Sequence, residues 1–384
     1  MSPPKRHAVA ADTVFDGITV RHNCVILIEG TEIVGVTTRR GLPEEIPVQE
    51  MPEGVWLAPG FIDVQVNGGG DRLFNNDPTP ETIAVMAAAH RRFGTTSLLP
   101  TLITDSDDKM RQAIASVRSA LPNLPGVLGI HLEGPFLSAE KPGIHDPGLI
   151  RAPDDHHLDL LQSLKGATTI VTCAPEIVPD GFITELVNAN IRVSLGHSMA
   201  TYAETQSAIA DGLSGFTHLF NAMRPLGSRE PGPIAAALEA AGCWYGLIVD
   251  GEHVAAPMLK LALRGSGSPM LVTDAMPPVG GSATTFTLYG QEIAVDGGRC
   301  ATKDGQLAGS AIDMATAVWN TVRYLDVPLT DALTYASLAP ARFLGLASHL
   351  GRIAPGFRAD IVAFEPDNVH VTGTWLAGEY AAST

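Results

Sequence analysis

A (β/α)8 barrel of the TIM type, carrying a small β-sandwich domain built from both chain termini, is the fold this sequence predicts, and two patterns predict it. Between residues 61 and 278, eight apolar runs of strand length alternate with Ala-rich segments of helix length, which is how a parallel sheet covered by helices reads. On either side, residues 8–56 and the closing RIAPGFRADIVAFEPDNVHVTGTWLAGEY are short β-type runs broken by Gly, Asn and Pro, with no helical period. These shifts draw boundaries at 1–58 and 350–384 for the two parts of the β domain and 59–349 for the barrel, with a β insertion near 284–308. A barrel of ~250 residues with a modest accessory fits a chain of 384.

In order, the eight runs are FIDVQVNG (61–68), TTSLLPTLI (95–103), GVLGIHLEG (126–134), ATTIVTCAPE (167–176), IRVSLGHS (191–198), GFTHLFNAM (215–223), YGLIVDGEHV (245–254) and PMLVTDAMPP (269–278). Helices are expected at PETIAVMAAAHRRF (80–93), SDDKMRQAIASVRSAL (106–121) and TYAETQSAIADG (201–212), which carry acidic residues early. After the eighth run, TFTLYGQEIAVDGGRCATKDGQLAG (285–309) reads as β and either returns to the small domain or covers the barrel mouth; SAIDMATAVWNTVRYL (310–325) then reads as helix. Repeats, low-complexity tracts and long linkers are not evident.

Composition narrows the function classes. A net charge of −16 with only 25 basic residues argues against a nucleic-acid partner, although one or two local cations can still hold a phosphorylated small molecule. Cys24, Cys173, Cys243 and Cys300 are scattered without C-x-x-C spacing, which suggests neither a disulfide framework nor a zinc ribbon and fits a reducing cytoplasm. MSPPKRHAVAADTVF has no apolar core after its basic residues, and no stretch reaches the ~18 apolar residues of a spanning helix, so neither secretion nor membrane insertion is expected.

Four polar residues end apolar runs: Glu133 in HLEGP, His197 in VSLGHS, His218 in FTHLFNAM and Asp274 in LVTDAMPP. In a parallel barrel the C-terminal strand ends share one face, so positions distant in sequence collapse into one ring. Any one of them alone would more readily be an isolated strand-end polar residue; four in agreement point to a site. Neutral imidazole nitrogens and anionic carboxylate oxygens suit one divalent metal with an open water position, the equipment of a metal-dependent hydrolase. Asp274 is assigned to proton transfer, because a carboxylate beside an activated water can take its proton and pass it to a leaving amine; the same carboxylate could serve as a further ligand.

The first run matters for what it lacks. Two-metal barrel hydrolases usually carry His-x-His there, whereas Gln65-Val66-Asn67 offers two neutral amides that bind a divalent ion poorly, so one tight metal is expected. Gln65 and Asn67 could instead hydrogen-bond water or substrate, or satisfy backbone groups at the strand end. A second tier comprises His145 in KPGIHDP, Asn221, Arg229 in GSREPGP, and Asp250 and His253 in VDGEHV. Arg229 and His253 are each weak signals alone, but two cations at the mouth of an acidic protein suggest an anionic substrate. His7, His22, His90, His156, His157, His349 and His370 fall outside strand ends and are read as structural or surface residues.

With these residues in hand, the chain resembles the N-acetylglucosamine-6-phosphate deacetylases of the amidohydrolase superfamily nearly end to end. The resemblance rests on PGFIDVQVNG (59–68), HLEGPFL (131–137), KPGIHDP (141–147), SLGHS (194–198), THLFNAM (217–223), GLIVDGEHV (246–254), VTDAMPPVG (272–280) and QLAGSA (306–311), in that order, while APGFRADIVAF (354–364) marks only the superfamily. It implies hydrolysis of N-acetyl-D-glucosamine 6-phosphate to glucosamine 6-phosphate and acetate in amino-sugar catabolism. It also implies one divalent metal ion per chain, zinc or else Fe2+, Co2+ or Mn2+, on Glu133, His197 and His218, with Asp274 as general base and acid and His145 at the polarised carbonyl. Ile144, Asn221, Ala222, Arg229, the loop Asp250, Gly251, Glu252 and His253, and the turn Leu307, Ala308 and Gly309 match substrate contacts, the phosphate falling to Arg229 and His253. A homodimer with the Arg229/His253 region near its interface is a further implication. Pro142 stands where the family often has a second basic residue, which bears on loop mobility and substrate tolerance.

Fold and metal do not fix a substrate. The rival readings are an amidohydrolase acting on another N-acyl or cyclic amide or on N-acetylgalactosamine 6-phosphate, and a silent barrel serving as scaffold or sugar-phosphate sensor. Retention of all four strand-end residues argues against the last.

Overall fold

A computed structural model describes residues 6–383; residues 1–5, part of the stretch read above for a leader, and Thr384 lie outside the described residues. The two ends of the chain build one sheet, in which Glu379–Ala382, His370–Leu376, Ile361–Glu365, Trp56–Pro59, Arg6–Phe15, Val20–Glu29 and Glu32–Thr37 lie side by side and Val48–Glu50 pairs with Arg6–Phe15. Period-2 alternation gives this sheet an apolar face, where Val9, Ile26, Ile28, Leu57, Ile361 and Trp375 share one core.

Eight parallel strands form the second sheet: Phe61–Val66, Thr95–Ile103, Gly129–Glu133, Thr168–Cys173, Arg192–Leu195, Gly215–Phe216, Trp244–Leu247 and Ser268–Leu271, each beside the next in sequence order. Their continuous burial explains why the runs read as apolar without alternation: every residue of Phe61–Val66 and of Thr95–Ile103 is buried. The first and eighth strands share no extended ladder. They meet at a single parallel bridge between Val66 and Ala275, reinforced where Asp274 N donates to Gln65 O at 3.0 Å and Asn67 N to Ala275 O at 2.9 Å. Inside the barrel a polar layer is fully bonded. His131 reaches Val64 O at 2.9 Å and Thr172 Oγ1 at 2.8 Å, and Thr172 and Ser194 each meet the Thr217 hydroxyl.

Local capping signals set several helix starts. Thr79 and Ser106 accept backbone N–H bonds from Thr82 and Lys109, starting the helices Pro80–Arg91 and Asp107–Ala120, while a Thr201/Glu204 capping box starts Tyr202–Ala210. The helix expected at 310–325 begins later, at Met314, because Asp313 caps it through Thr316 N and Ser310 ends a strand. Run 285–309 forms a separate four-stranded antiparallel sheet, Thr285–Leu288, Gln291–Asp296, Arg299–Ala301 and Leu307–Ser310. It does not join the terminal sheet. Its Leu288, Ile293, Cys300 and Ala308 pack with Leu73, Ile103 and Met276 at the barrel mouth, so of the two expectations for this segment the covering one holds.

Candidate active site

Glu133 is the last residue of the third barrel strand, and His197, His218 and Asp274 each follow a strand by two or three residues. The strands are shorter than the apolar runs suggested. His197, His218 and Asp274 have φ values of +49°, +33° and +51°, so the backbone turns left-handed where the side chain must swing over the barrel axis. Such conformations are costly for non-glycine residues and persist where the surroundings hold them. Ser198 N to Ala222 O (3.0 Å) and Ser310 N to Asp274 O (2.9 Å) are among the bonds that do so.

The side chains converge. Glu133 Oε1 lies 3.1 Å from His197 Nε2 and 2.9 Å from His218 Nε2, and the two Nε2 atoms are 3.1 Å apart. His197 Nδ1 donates to the Lys141 carbonyl at 2.9 Å, which leaves its Nε2 as a lone pair facing a carboxylate oxygen and another imidazole nitrogen. His218 Nδ1 is buried without a hydrogen-bond partner. An array of acceptors turned on one point, with an outer carbonyl fixing the tautomer, is what a cation requires. Glu133, His197 and His218 can therefore hold a metal ion. Burial alone would raise the Glu133 pKa, but the hydrogen bonds and charges of His197 and His218 pull it well below the usual carboxylate range. Burial opposes charge on His218 as well, and Glu133 outweighs it, moving that imidazole upward.

Asp274 stands outside this trio. Its Oδ1 accepts from Asn67 Nδ2 at 2.6 Å and from Gln65 Nε2 at 3.1 Å, and the same Gln65 amide reaches Glu133 Oε2 at 3.1 Å. Gln65 thus bridges the Asp274 and Glu133 carboxylates while Asn67 donates to Asp274 alone, contacts that neither role left open by the sequence describes. Burial, with Glu133 nearby, pushes the Asp274 carboxyl up to about 6. His145 is buried, with Nδ1 2.7 Å from Thr104 Oγ1 and Nε2 4.0 Å from Glu133 Oε1; burial and the His197 ring hold it well below its ordinary range, so it is neutral.

These groups floor a cleft of about 420 Å³ whose lining also includes Ile144, Asn221, Ala222, His253, Leu307 and Gly309. Asp250, Gly251, Glu252 and Ala308 are near but do not line it. Asp250 accepts from His253 Nδ1 at 2.6 Å and from the backbone N–H groups of Glu252 and His253, and so orients the imidazole. Burial would raise that carboxyl, but the His253 bonds hold it below the usual range. Glu252 faces Arg299 on the insertion, and Ala308, on the insertion's last strand, is fully buried. Arg229, expected among the substrate contacts, is exposed on its loop and does not line the cleft. Sequence reasoning passed over Lys141 and Gln306, both in the lining. Lys141 had a signal, a cation four residues before His145; Gln306, whose amide donates to Gly143 O, had none.

His156 and His157 form a second group with Asp107. Its hydrogen bonds explain it: His157 Nδ1 accepts Asp154 N–H in a capping box, and both imidazoles and Arg151 converge on Asp107. Although burial opposes it, those partners hold the Asp107 carboxyl far below its usual range. These contacts account for the two imidazoles, which the sequence reads as structural or surface residues.

Comparison with known proteins follows the same lines. Residues 56–380 match the model of the amidohydrolase family. An N-acetylgalactosamine-6-phosphate deacetylase of Shewanella sp. is 42% identical over 326 residues, covering 84% of this chain and 82% of its own. An N-acetylglucosamine-6-phosphate deacetylase of Haemophilus influenzae is 33% identical over 380 residues, 98% of this chain and 99% of its own. Among solved structures, the N-acetylglucosamine-6-phosphate deacetylase of Pasteurella multocida superposes with a TM-score of 0.95 at 34% identity, covering 98% of this chain and 100% of that one. A mutant of the Mycobacterium smegmatis enzyme in complex with N-acetyl-D-glucosamine-6-phosphate gives 0.89 at 34% identity, covering 98% and 99%.

Proposed function

This chain belongs to the amidohydrolase family, and from that premise we propose that it hydrolyses the N-acetyl group of N-acetyl-D-glucosamine 6-phosphate, giving D-glucosamine 6-phosphate and acetate in amino-sugar catabolism. The observation that carries the reading is the convergence of Glu133 Oε1, His197 Nε2 and His218 Nε2 beside an amide-held Asp274, in relatives' company that is named for this deacetylation.

Glu133, His197 and His218 would hold one divalent ion per chain, which we assign as Zn2+ because a two-imidazole, one-carboxylate set suits it. Gln65 and Asn67, occupied with carboxylates, favour a single ion. Bound there, the ion supplies Lewis acidity, lowering the pKa of a water and polarising the acyl oxygen. The chain's own residues do the rest. Asp274 takes the proton as water attacks the acetamide carbon and returns it to the nitrogen, so that the amine leaves neutral. His145, with Thr104 donating to Nδ1, presents Nε2–H to the oxygen on which negative charge develops. Asn221, Ala222, Ile144, Leu307 and Gly309 enclose the sugar, and His253, held by Asp250, faces its phosphate.

A homodimer completes the proposal. Arg229 and Leu226 are exposed on one loop, and a second protomer would bring that guanidinium to its neighbour's phosphate. Buried free thiols at all four cysteines suit a reducing cytoplasm. The Shewanella relative favours one second reading, the galactosamine epimer as substrate.

Acetate release by chelator-stripped protein titrated with Zn2+ decides between these, using N-acetylglucosamine 6-phosphate, N-acetylgalactosamine 6-phosphate and unphosphorylated N-acetylglucosamine. Activity at one ion per chain that requires the phosphate supports the proposal, and the higher kcat/KM names the sugar. No acetate with Zn2+, Fe2+, Co2+ or Mn2+ overturns it.

A further inference from the structure

Asp63 is fully buried in the first barrel strand and faces the seam to the eighth, where the sheet has no extended ladder. Its carboxylate accepts from three donors. Thr273 Oγ1 lies 2.5 Å from Oδ2, while Gln65 N at 3.1 Å and Thr273 N at 3.4 Å approach Oδ1. The residues it grips flank the working groups: Thr273 precedes Asp274, and Gln65 supplies one of the amides on Asp274 Oδ1. Thr273 passes the constraint on, since its Oγ1 also accepts Ala275 N at 3.2 Å and its carbonyl accepts Ser310 Oγ at 2.6 Å. Asp274 is thus held on both sides of its left-handed turn.

We infer that Asp63 is a positioning residue for the deacetylation, clamping Thr273 and Gln65 together across the barrel seam so that Asp274 meets the two amides and faces the cleft. The inference rests on the reading of Asp274 as proton carrier. A buried carboxyl group is costly to keep unless it is hydrogen-bonded, and a shift of about 1 Å in a proton carrier costs on the order of 100-fold in rate. Asp63 does not line the cleft.

Thr273→Val removes the hydroxyl but keeps the side-chain shape, and Thr273→Ser keeps the hydroxyl. In the metal-loaded protein, Thr273→Val and Asp63→Asn are expected to lower kcat about 10- to 100-fold, with KM and bound metal within about 2-fold of wild type. Thr273→Ser should restore most of the rate, and the Asp63→Asn/Thr273→Val double variant should be no slower than the slower single. Full kcat in Thr273→Val, or losses that multiply and carry KM and metal content with them, overturns the inference. Should Asp63→Asn not fold, the Val and Ser variants at 273 decide alone. A crystal structure of metal-free Thr273→Val gives a readout independent of turnover: the 3.1 Å contact between Gln65 Nε2 and Asp274 Oδ1 should be lost, and its retention counts against the clamp. Wild-type protein that releases no acetate would instead sink the deacetylase reading, leaving this structural arm to judge Asp63.

Discussion

Glu133 Oε1 stands 2.9 Å from His218 Nε2 at the floor of the cleft, a buried carboxylate–imidazole pair that exists only because the third and sixth strands deliver their ends to one point. Both side chains are almost fully shielded from solvent, and holding two such groups without an ion costs stability that an ion would restore.

Metal should therefore stabilise the fold through this trio. At an excess of about 1,000 times Kd, linkage gives ~4 kcal/mol. Thermal unfolding is expected several degrees higher with Zn2+ than with chelator, and His197→Ala should abolish that shift while lowering kcat at least about 1,000-fold.

Asp274 must be ionised to accept a proton, so the rate should rise with pH through its pKa. That group is pushed up to about 6 by burial and Glu133 in the metal-free protein, and a neighbouring dication lowers it. The acid limb of kcat/KM should accordingly fall below pH 6. Asp274→Asn should lose about 100- to 10,000-fold in kcat while still binding one metal per chain. An unchanged rate would remove Asp274 from proton transfer.

His90 is fully buried, Nε2 bonded to Gly68 O at 2.8 Å and Nδ1 unpartnered, and burial lowers its pKa to about 4. A depressed histidine binds fewer protons when folded than unfolded. Its contribution is thus complete above about pH 6.5 and lost as pH falls toward 4, on the order of 3 kcal/mol. Urea midpoints at pH 7.5 and 4.5 measure the loss, and His90→Gln, which keeps a donor for Gly68 O, should flatten that part of the profile.

Arg229→Ala should raise KM for the phosphorylated sugar about 10- to 100-fold and leave the unphosphorylated sugar unaffected. If the guanidinium serves a neighbouring protomer, mixed dimers of Arg229→Ala and Asp274→Asn subunits will contain one site with both groups. Recovery of activity on mixing checks this; no recovery places Arg229 in its own site or in none.

The sequence carried the barrel because parallel strands buried on both faces leave uninterrupted apolar runs, and it carried the trio because Glu133, His197 and His218 are polar residues set in such runs. It overshot where apolarity outlasts the strand. GFTHLFNAM is apolar to Met223, yet only Gly215–Phe216 is strand, since His218, Phe220 and Ala222 all turn to positive φ. Hydropathy does not register backbone handedness. Asp63 was hidden for the opposite reason: it is one carboxylate inside FIDV, and only the seam geometry gives it a partner 210 residues away.

The left-handed turns at His197, His218 and Asp274 limit what laboratory evolution can write at these positions. Asn, Asp, His and Gly tolerate that region, whereas β-branched and most long side chains do not. A library aimed at a different ion or a different nucleophile will thus draw from a short alphabet at three positions, while Glu133, on regular strand, accepts replacements without that penalty. Changing the chemistry of this barrel begins at Glu133.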